Sequence, residues 1–452
     1  MSEPAVKVQV PPPPTGLGRI AWLGPGFLWM VSAAGSGELL FTPRVGALYG
    51  YALLWALLVA VALKWFVNRE VGRYTVVTGR TILEGFARLP GPRGWAVWLI
   101  VLPQLVVAVA TIAGLAGSAA TALVLALPGD VRIWTVGAIV AAAGLVLLGR
   151  YRLIERVAIV FAVVLALASI TAALSVGPDV AELAGGISPQ LPPELDYAEV
   201  LPWLGFMLSG AAGMIWYSYW LREKGYGAAG GDESSQEGNG AAQEADKARR
   251  ERLRGWLRQL TLDNSVAVLG TLLITVAFLV LGAELLRPEG LVPEEDRVAE
   301  VLGQLLGTIW GPIGFWFMVT AVFIGFWDTV LSDQDGFGRM FASGTRLIAR
   351  ASGVDHLPAP ETLRRLFVGV VTGALPIGLY LLVGEPVGLL QLAGAIEAAH
   401  IPILAGLALY VGRQELPPDL RPSRLSFAMT ALAGAFFAVF ALLFAGQLGG
   451  LL

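Results

Sequence analysis

A short polar interruption that ends in a carboxylate lies inside the first apolar stretch of the chain. Residues 33 to 38 read Ala-Ala-Gly-Ser-Gly-Glu, and the surrounding stretch is long enough to cross a bilayer. Unwound backbone is tolerated at membrane depth only where it lines a cavity or is buried by protein, because hydrocarbon supplies no hydrogen bonds. The segment therefore predicts a broken helix at a substrate site. A glycine-rich packing seam between two helices is the alternative interpretation.

A second run of small residues also interrupts an apolar stretch. Ser209-Gly210-Ala211-Ala212-Gly213-Met214 interrupts the apolar stretch that comes five stretches after the first. Two inverted five-helix repeats would produce this spacing, because each repeat contributes its own first helix to a central site. The two interruptions together predict a site between two broken helices.

The composition indicates the class of protein. Of 452 residues, 56% are hydrophobic and 14% are charged, and the mean hydropathy is +0.69. These values are typical of a helical protein that crosses the membrane many times. The net charge of −3 does not suggest a nucleic-acid partner, and the absence of cysteine excludes disulfides and thiolate metal sites. No nucleophile–base arrangement or phosphate-binding loop points to an enzyme.

The apolar stretches predict eleven transmembrane helices and an all-α membrane protein. The stretches cover residues 20–48, 51–68, 94–127, 133–149, 153–177, 199–221, 262–286, 305–332, 365–384, 386–412 and 425–449. Arginine and lysine concentrate in alternate loops, which predicts a cytoplasmic N-terminus, an extracytoplasmic C-terminus and a multi-pass protein of the plasma (inner) membrane. We expect the LeuT-type inverted 5+5 repeat with one extra C-terminal helix and discontinuous first and sixth helices.

The same pattern divides the chain into segments. They are a disordered, proline-rich cytoplasmic tail (1–18), a first five-helix repeat (19–177), a second repeat (199–412) with a cytoplasmic loop (223–258), and an eleventh helix (425–452). The loop begins glycine- and acid-rich and ends in a basic run, which predicts a solvated helix in contact with membrane lipid.

Several local motifs resemble those of the Nramp family of divalent metal transporters, within the wider amino acid–polyamine–organocation superfamily. Gly24-Pro25-Gly26-Phe27-Leu28 resembles the opening of the first Nramp helix, and Gly50-Tyr51-Ala52-Leu53-Leu54-Trp55 resembles the start of the second. Gly117-Ser118-Ala119 is similar to a stretch of the third helix, and Arg364-Arg365 to a pair at the start of the ninth. The resemblance implies a secondary transporter that works by alternating access.

The functional motifs of that family are altered in this chain. Where Nramp proteins carry Asp-Pro-Gly-Asn in the first helix, this sequence has Gly35-Ser36-Gly37-Glu38. Where they carry Met-Pro-His in the sixth, it has Met214-Ile215-Trp216. The acidic pair associated with proton passage aligns with Thr111 and Gly114. We therefore expect transport that is uncoupled, or coupled by another route.

The resemblance implies a metal substrate held by the remaining ligands, with no cofactor. Glu38 supplies hard oxygens and Met214 a soft sulfur, while Gln391 resembles a family glutamine near the metal. Backbone carbonyls near Ala34 and Ala211 complete a set that could hold Mn²⁺ or Mg²⁺. The alternative role for Glu38 is to cap the N-terminus of the outer half-helix.

Two other functions stay open. The Gly35-Ser36-Gly37 run also resembles the Gly-Ser-Gly of amino acid carriers, where half-helix N–H groups bind a substrate carboxylate, and Trp216 would add an aromatic wall for a small organic solute. A non-transporting sensor with the 224–258 loop as its output is the third interpretation.

Further charged or titratable residues fall within the predicted spans. Asp328 lies in the eighth span, and Glu397 and His400 lie in the tenth. Intramembrane ionisable groups are functional candidates, so these three are candidates for proton or charge coupling. Lys64, in the second span, is a potential ion-pair partner for the carboxylates. The oligomeric state is not indicated.

Overall fold

A computed structural model describes residues 9–26, 29, 34–149, 152–231, 242–354 and 356–450, without side chains at 34, 36, 152–156 and 242–245. The described chain is built from α-helices. In chain order they are α1 (Thr42–Tyr49), α2 (Leu54–Thr78), α3 (Ile82–Phe86), α4 (Trp95–Ala126), α5 (Val131–Leu148), α6 (Arg152–Val176), α7 (Val180–Gly185), α8 (Tyr197–Phe206), α9 (Ala211–Lys224), α10 (Ala242–Leu281), α11 (Val298–Ala351), α12 (Pro360–Gly369), α13 (Leu375–Val383), α14 (Pro386–Glu415) and α15 (Arg424–Leu448).

Short segments of other helical types connect these helices. Three π-helical segments are Ala34–Phe41 before α1, Gly282–Leu286 after α10 and Val370–Ala374 between α12 and α13. Four 3₁₀ segments are Gly16–Trp22, Gly227–Gly230, Glu295–Arg297 and Pro418–Leu420. The all-helical membrane class predicted from the composition is confirmed.

Nine helical segments of the described chain are long and apolar enough to cross a membrane. They include neither α2, which carries Lys64, Arg69, Glu70 and Arg73, nor the first predicted span, part of which lies outside the described residues. The charges of α2 are neutralised inside the protein, since Arg73 donates to Glu70 at 2.7 Å and Ser426 donates to the same carboxylate at 2.5 Å. The eleven-helix count stays a prediction.

The sixth helix is broken as expected, whereas the described part of the interruption predicted in the first helix, residues 34 to 38, is helical. Helix α8 ends at Phe206 and α9 begins at Ala211, and the break contains Leu208 (φ 57°) and Ser209 (φ 70°) in the left-handed region. By contrast, Ala34–Phe41 is a continuous π-helix, so residues 34 to 38 are wound and not extended. Residue 33 lies outside the described chain. A π-helix keeps backbone groups hydrogen-bonded while admitting an extra residue per turn, which is common at functional sites.

Two long helices extend beyond their predicted bounds. Helix α11 runs from Val298 to Ala351 with a kink at Gly311, where φ is 62° and Pro312 follows. The predicted span ended at 332 because polar residues follow, but these pair within the protein, as Asp335 does with Arg364 at 2.6 Å. Helix α10 begins at Ala242, so the basic run of the 223–258 loop is the start of the seventh helix. Residues 232–241 of that loop lie outside the description.

The N-terminal segment is ordered from residue 9, which corrects the predicted disorder for residues 9 to 18. Val10 is 1% exposed. Its carbonyl accepts from Arg252 at 2.7 Å, and the Pro11 carbonyl accepts from the Trp256 indole at 2.9 Å. Prolines hold this segment extended, so its carbonyls are free to accept from the basic start of α10. Residues 1–8 lie outside the described chain.

Candidate functional site

The carbonyl groups at the break between α8 and α9 are held by a buried ammonium. Lys64 of α2 is 0% exposed. Its Nζ donates to the carbonyls of Gly205, Met207 and Ser209 at 2.8, 2.6 and 2.9 Å. Carbonyls at a helix C-terminus lack intrahelical partners and carry partial negative charge, so a cation is stabilised there.

The amide groups of the same break are held by two buried carboxylates. Glu397 of α14 accepts from the Ala211 N–H at 2.5 Å and from the Ala212 N–H at 3.3 Å. Glu38 of the π-helix accepts from the Leu208 N–H at 2.8 Å through Oε1. Both arrangements satisfy backbone donors with charge-assisted hydrogen bonds, and Glu397 lies at the positive N-terminal end of α9. Glu38 therefore binds a backbone N–H group inside the break of the sixth helix.

Glu38 keeps one carboxylate oxygen free for another partner. Its Oε2 is buried without a hydrogen bond to any described residue. Thr275 lies beside this carboxylate, but its hydroxyl donates to the Thr271 carbonyl at 2.8 Å. A buried carboxylate oxygen without a donor is energetically costly, so this atom is a candidate for binding a cation.

Glycines allow the π-helix to approach its neighbours. A Cβ added to Gly35 would lie 2.4 Å from the Thr329 hydroxyl oxygen, and one added to Gly37 would lie 2.8 Å from the Phe206 carbonyl carbon. Contacts this short leave no space for a side chain. The packing-seam interpretation of the Gly-Ser-Gly run therefore holds for both glycines.

A small polar cavity lies beside the break, next to α4, α11 and α14. Its volume is about 30 Å³. The polar side chains that line it are Thr111, Ser209, Trp216, Thr329, Asp333 and Glu397. A cavity of this size holds a few water-sized groups, because one water needs roughly 10–15 Å³ by this kind of measure. The cavity therefore suits an ion with little remaining hydration.

Asp333 is a carboxylate of this cavity that has no partner among the described residues. It is 6% exposed, and no hydrogen bond or ion pair joins it to another described residue. The nearby charges that act on it are Glu397 and Asp328, both negative. Thr111 also has a hydroxyl with no hydrogen-bond partner in the described chain. Two carboxylates and several hydroxyls thus surround the cavity with hard oxygen ligands of the kind that Mg²⁺ and Mn²⁺ accept.

The residues predicted as a site are only partly brought together. Glu38, Ala211 and Trp216 lie at or beside the break, and Glu397 lines the cavity. Met214 is fully buried but is not among the residues that line the cavity. Asp328 does not line it either. Ala34 lies in the π-helix with Gly35 and Ser36, and nothing is described of the side chains at 34 and 36.

Gln391 lies elsewhere, in a polar cluster at the predicted outer end. It donates to Glu199 at 3.0 Å. The Arg44 guanidinium donates to both oxygens of the same carboxylate at 2.7 Å each, and to the Pro293 carbonyl at 2.5 Å. We call Arg44, Glu199 and Gln391 the outer latch, because they join α1, α8 and α14 at this end.

His400 is held by neutral partners. Its Nδ1 lies 3.0 Å from Gln104 Nε2, and its Nε2 lies 3.2 Å from the Leu99 carbonyl oxygen. The amide and the carbonyl each give one ring nitrogen an uncharged hydrogen-bond partner. Gln104 also lies beside Glu397, which links the histidine to the break indirectly.

A much larger cavity opens at the predicted cytoplasmic end. Its volume is about 700 Å³. Tyr219 of α9 and Arg339 of α11 line it, whereas Trp216 and Phe337 of the same helices line the small cavity. The Trp216 and Phe337 rings meet edge to face with centroids 4.9 Å apart. This aromatic pair therefore lies on the two helices that line both cavities, within three residues of the lining of the larger one.

Sequence reasoning gave Lys64 a role only as an ion-pair partner and did not include Asp333 or Thr329 in the site. A lone lysine inside an apolar span was a detectable signal, since such residues mark functional positions. Asp333 fell one residue beyond the predicted span 305–332, because the length of α11 was underestimated.

Comparisons with known proteins agree with this architecture. A Pasteurella multocida protein described as uncharacterized is 26% identical over 351 residues, 73% of this chain and 72% of its own length. The divalent metal cation transporter MntH of Aeromonas hydrophila is 29% identical over 82 residues, which are 18% of this chain and 20% of that protein.

Solved structures resemble the whole fold. A mutant of the manganese transporter of Eremococcus coleocola matches with a TM-score of 0.69 at 16% identity, over 98% of this chain and 91% of that one. Mhp1, a nucleobase-cation-symport-1 transporter in a closed conformation, matches with a TM-score of 0.54 at 12% identity, over 94% and 92%. The LeuT-type fold predicted from the sequence is confirmed by these neighbours. The family model described as natural resistance-associated macrophage protein-like matches residues 26–447, and the chain belongs to the Nramp family.

Proposed function

We propose that this protein carries a divalent cation, Mg²⁺ or Mn²⁺, across the membrane by alternating access. Family membership supports transport of this class, and the names of two relatives, a manganese transporter and a divalent metal cation transporter, point the same way. The observation that carries the proposal is Asp333, a buried carboxylate that faces a cavity and bonds to no described residue. A buried charge needs a partner, and a bound cation would supply it.

The ligands proposed for the cation are oxygens. Asp333 and Glu397 supply carboxylates, and Thr329 and Ser209 supply hydroxyl groups around the same cavity. Hard oxygen ligands favour Mg²⁺ and Mn²⁺ over softer metals. We retain Glu38 as an additional ligand, through its free Oε2, for a state in which the break has moved.

The cavity does not favour the organic-solute alternative. A volume of about 30 Å³ accommodates an ion but not an amino acid. The N–H groups at the start of α9, which could have bound a substrate carboxylate, already bond to Glu397.

Access from the two sides is proposed to be controlled by different contacts. The outer latch closes one end, and the Trp216–Phe337 pair separates the small cavity from the 700 Å³ cavity at the other. Movement of this aromatic pair would release the cation to the predicted cytoplasmic side. Since Thr111 and Gly114 stand where the family has acidic residues, we propose transport without the usual proton route.

The experiment is a metal titration of thermal stability for the purified protein in detergent. A ligand that binds only the native state raises Tm by mass action. We expect Mg²⁺ or Mn²⁺ to raise the Tm of the wild type in a saturable manner. Asp333→Asn should fold but lose this rise, because Asp333 makes no hydrogen bond to any residue that the structure describes.

Asp335→Asn is the matched control. Asp335 lies two residues further along α11 and pairs with Arg364 and Arg339 at 2.6 and 2.8 Å. Asp335→Asn should lower the Tm measured without metal, because it weakens these ion pairs, but the rise in Tm on adding metal should remain. A full metal response in Asp333→Asn, or no response in the wild type, would contradict the proposed site.

A further inference from the structure

Lys64 holds the place of a bound cation at the break. Its ammonium offers three N–H donors and meets three carbonyl oxygens, at 2.6 to 2.9 Å. These carbonyls come from Gly205, Met207 and Ser209, on both sides of the point where α8 ends. Three convergent carbonyls at a helix C-terminus form a cation cradle irrespective of which cation fills it.

The charges around Lys64 are balanced without a direct ion pair. Glu38 and Glu397 are the opposite charges that act on it, but both carboxylates bond to backbone N–H groups of the break instead. The Phe437 ring lies on another side, with its centroid 5.4 Å from Nζ. The ammonium therefore interacts mainly with backbone carbonyls, as a free cation in this cradle would.

We propose that the carbonyls of Gly205, Met207 and Ser209 form a monovalent-cation site of which the Lys64 ammonium is the tethered, permanent occupant. A free primary ammonium could bind there if the lysine side chain were removed. Because the cradle is filled in the native protein, a second cation near the break is confined to the cavity of Asp333 and Glu397. That last consequence rests on the proposed function, whereas the cation site itself does not.

The test is chemical rescue by the atoms that a substitution removes. Lys64→Ala deletes a propylammonium fragment and leaves the cradle empty. We expect this variant to have a lower Tm than the wild type, and n-propylammonium chloride to raise its Tm by several degrees in a saturable manner. The wild type should not respond, since its cradle is occupied.

Three controls separate the contributions of charge, N–H donors and available space. n-Propanol has the same stem without the charge, and tetramethylammonium has the charge without N–H donors, so neither should rescue Lys64→Ala. Lys64→Met keeps the volume of the stem, so n-propylammonium should find no space in that variant. A folded Lys64→Ala without a specific n-propylammonium response would overturn the proposal. All of these measurements are made without divalent metal, so their outcome is separate from that of the transport proposal.

A double-substitution cycle decides the matter if Lys64→Ala does not fold. Lys64→Met removes the cation but leaves the Glu397 carboxylate without its counter-charge. Combining Lys64→Met with Glu397→Gln should therefore lower Tm by less than the sum of the two single losses. Additive losses would show that Lys64 is not the balancing cation, and would overturn the proposal.

Discussion

The charged side chains at the centre of the protein differ in what they bind. Lys64 bonds to carbonyls of the break, and Glu397 and Glu38 bond to its amides. Asp333 faces the cavity without a partner in the described chain. The first three stabilise an unusual backbone, and Asp333, together with Glu397, is proposed to bind the transported ion.

Metal selectivity is predicted to be independent of Met214. A sulfur ligand would favour Mn²⁺ or Cd²⁺ over Mg²⁺, but Met214 is buried and is not among the cavity-lining residues. Met214→Leu conserves the volume, so it should change the ratio of Mn²⁺ to Mg²⁺ affinity by less than about twofold. Thr329→Val, which removes a lining hydroxyl, should weaken both metals by about tenfold. Isothermal titration of both variants checks this, and selective loss of Mn²⁺ in Met214→Leu would restore the sulfur as a ligand.

The intramembrane charges could be predicted from the sequence, but their partners could not. Glu38, Lys64 and Glu397 stand out because each interrupts an apolar stretch. Their bonds go to backbone groups distant in the chain: Glu38 and Leu208 are 170 residues apart, and Lys64 and Ser209 are 145 apart. Every residue carries a backbone carbonyl and almost every residue an N–H group, so the sequence does not show which of them a buried charge will bind.

At the scale of the helix, the break between α8 and α9 is stabilised by close packing as well as by charge. Gly210 precedes α9, and a Cβ placed there would lie 2.5 Å from Cδ of Glu397. The absence of a side chain lets the carboxylate reach the first N–H groups of α9. The small residue at position 210 thus allows Glu397 to cap the N-terminus of α9.

Gly210→Ala should destabilise the protein and weaken metal binding together. The added methyl group displaces Glu397 from both its cap and the cavity, and overpacking of this kind typically costs about 1–3 kcal/mol. Gly406→Ala is the matched control, because a Cβ at Gly406 of α14 meets no atom within 4 Å. Thermal unfolding with and without metal measures both effects. If Gly210→Ala and Gly406→Ala showed the same Tm and the same metal-dependent rise in Tm, Glu397 would not be held against Gly210.

The small residues around Ser209 predicted a break in the sixth helix, and the structure contains one, with Leu208 and Ser209 in the left-handed region. The small residues at positions 33 to 38 allowed two interpretations, a break and a packing seam. The segment that contains Gly35 and Gly37 is similarly rich in small residues, yet it forms a π-helix that packs closely against Thr329 and Phe206. A single sequence does not distinguish a glycine that unwinds a helix from one that lets another helix approach.

At the scale of the whole molecule, the two ends are closed to different degrees. The outer latch joins three helices through a bidentate buried ion pair between Arg44 and Glu199. The opposite end contains the 700 Å³ cavity. Under the predicted topology and the proposed alternating access, this asymmetry would correspond to a state whose outer side is shut.

Breaking the outer latch should expose the outer pathway. Removing one partner of a buried ion pair costs about 3–5 kcal/mol, and each 1.4 kcal/mol corresponds to roughly a tenfold change in an equilibrium. The chain has no cysteine, so Val45→Cys, at a fully buried position of α1, gives a single reporter. Glu199→Gln should speed its labelling by a water-soluble thiol reagent at least tenfold.

Arg297→Gln is the control for the outer latch. Arg297 pairs with Glu300 on the surface, where the two side chains are 58% and 45% exposed. Exposed pairs contribute little to stability, so labelling at position 45 should stay within about twofold of the parent. Equal labelling rates in the Glu199 and Arg297 variants would contradict the gating role of the latch.

The most direct test of the account is divalent-cation entry into proteoliposomes, measured for the wild type and for Asp333→Asn. We predict saturable entry of Mg²⁺ or Mn²⁺ through the wild type and at least a tenfold lower rate through Asp333→Asn, at equal amounts of folded protein. Entry at the same rate through both proteins, or through neither, would contradict a cation pathway that depends on the Asp333 cavity.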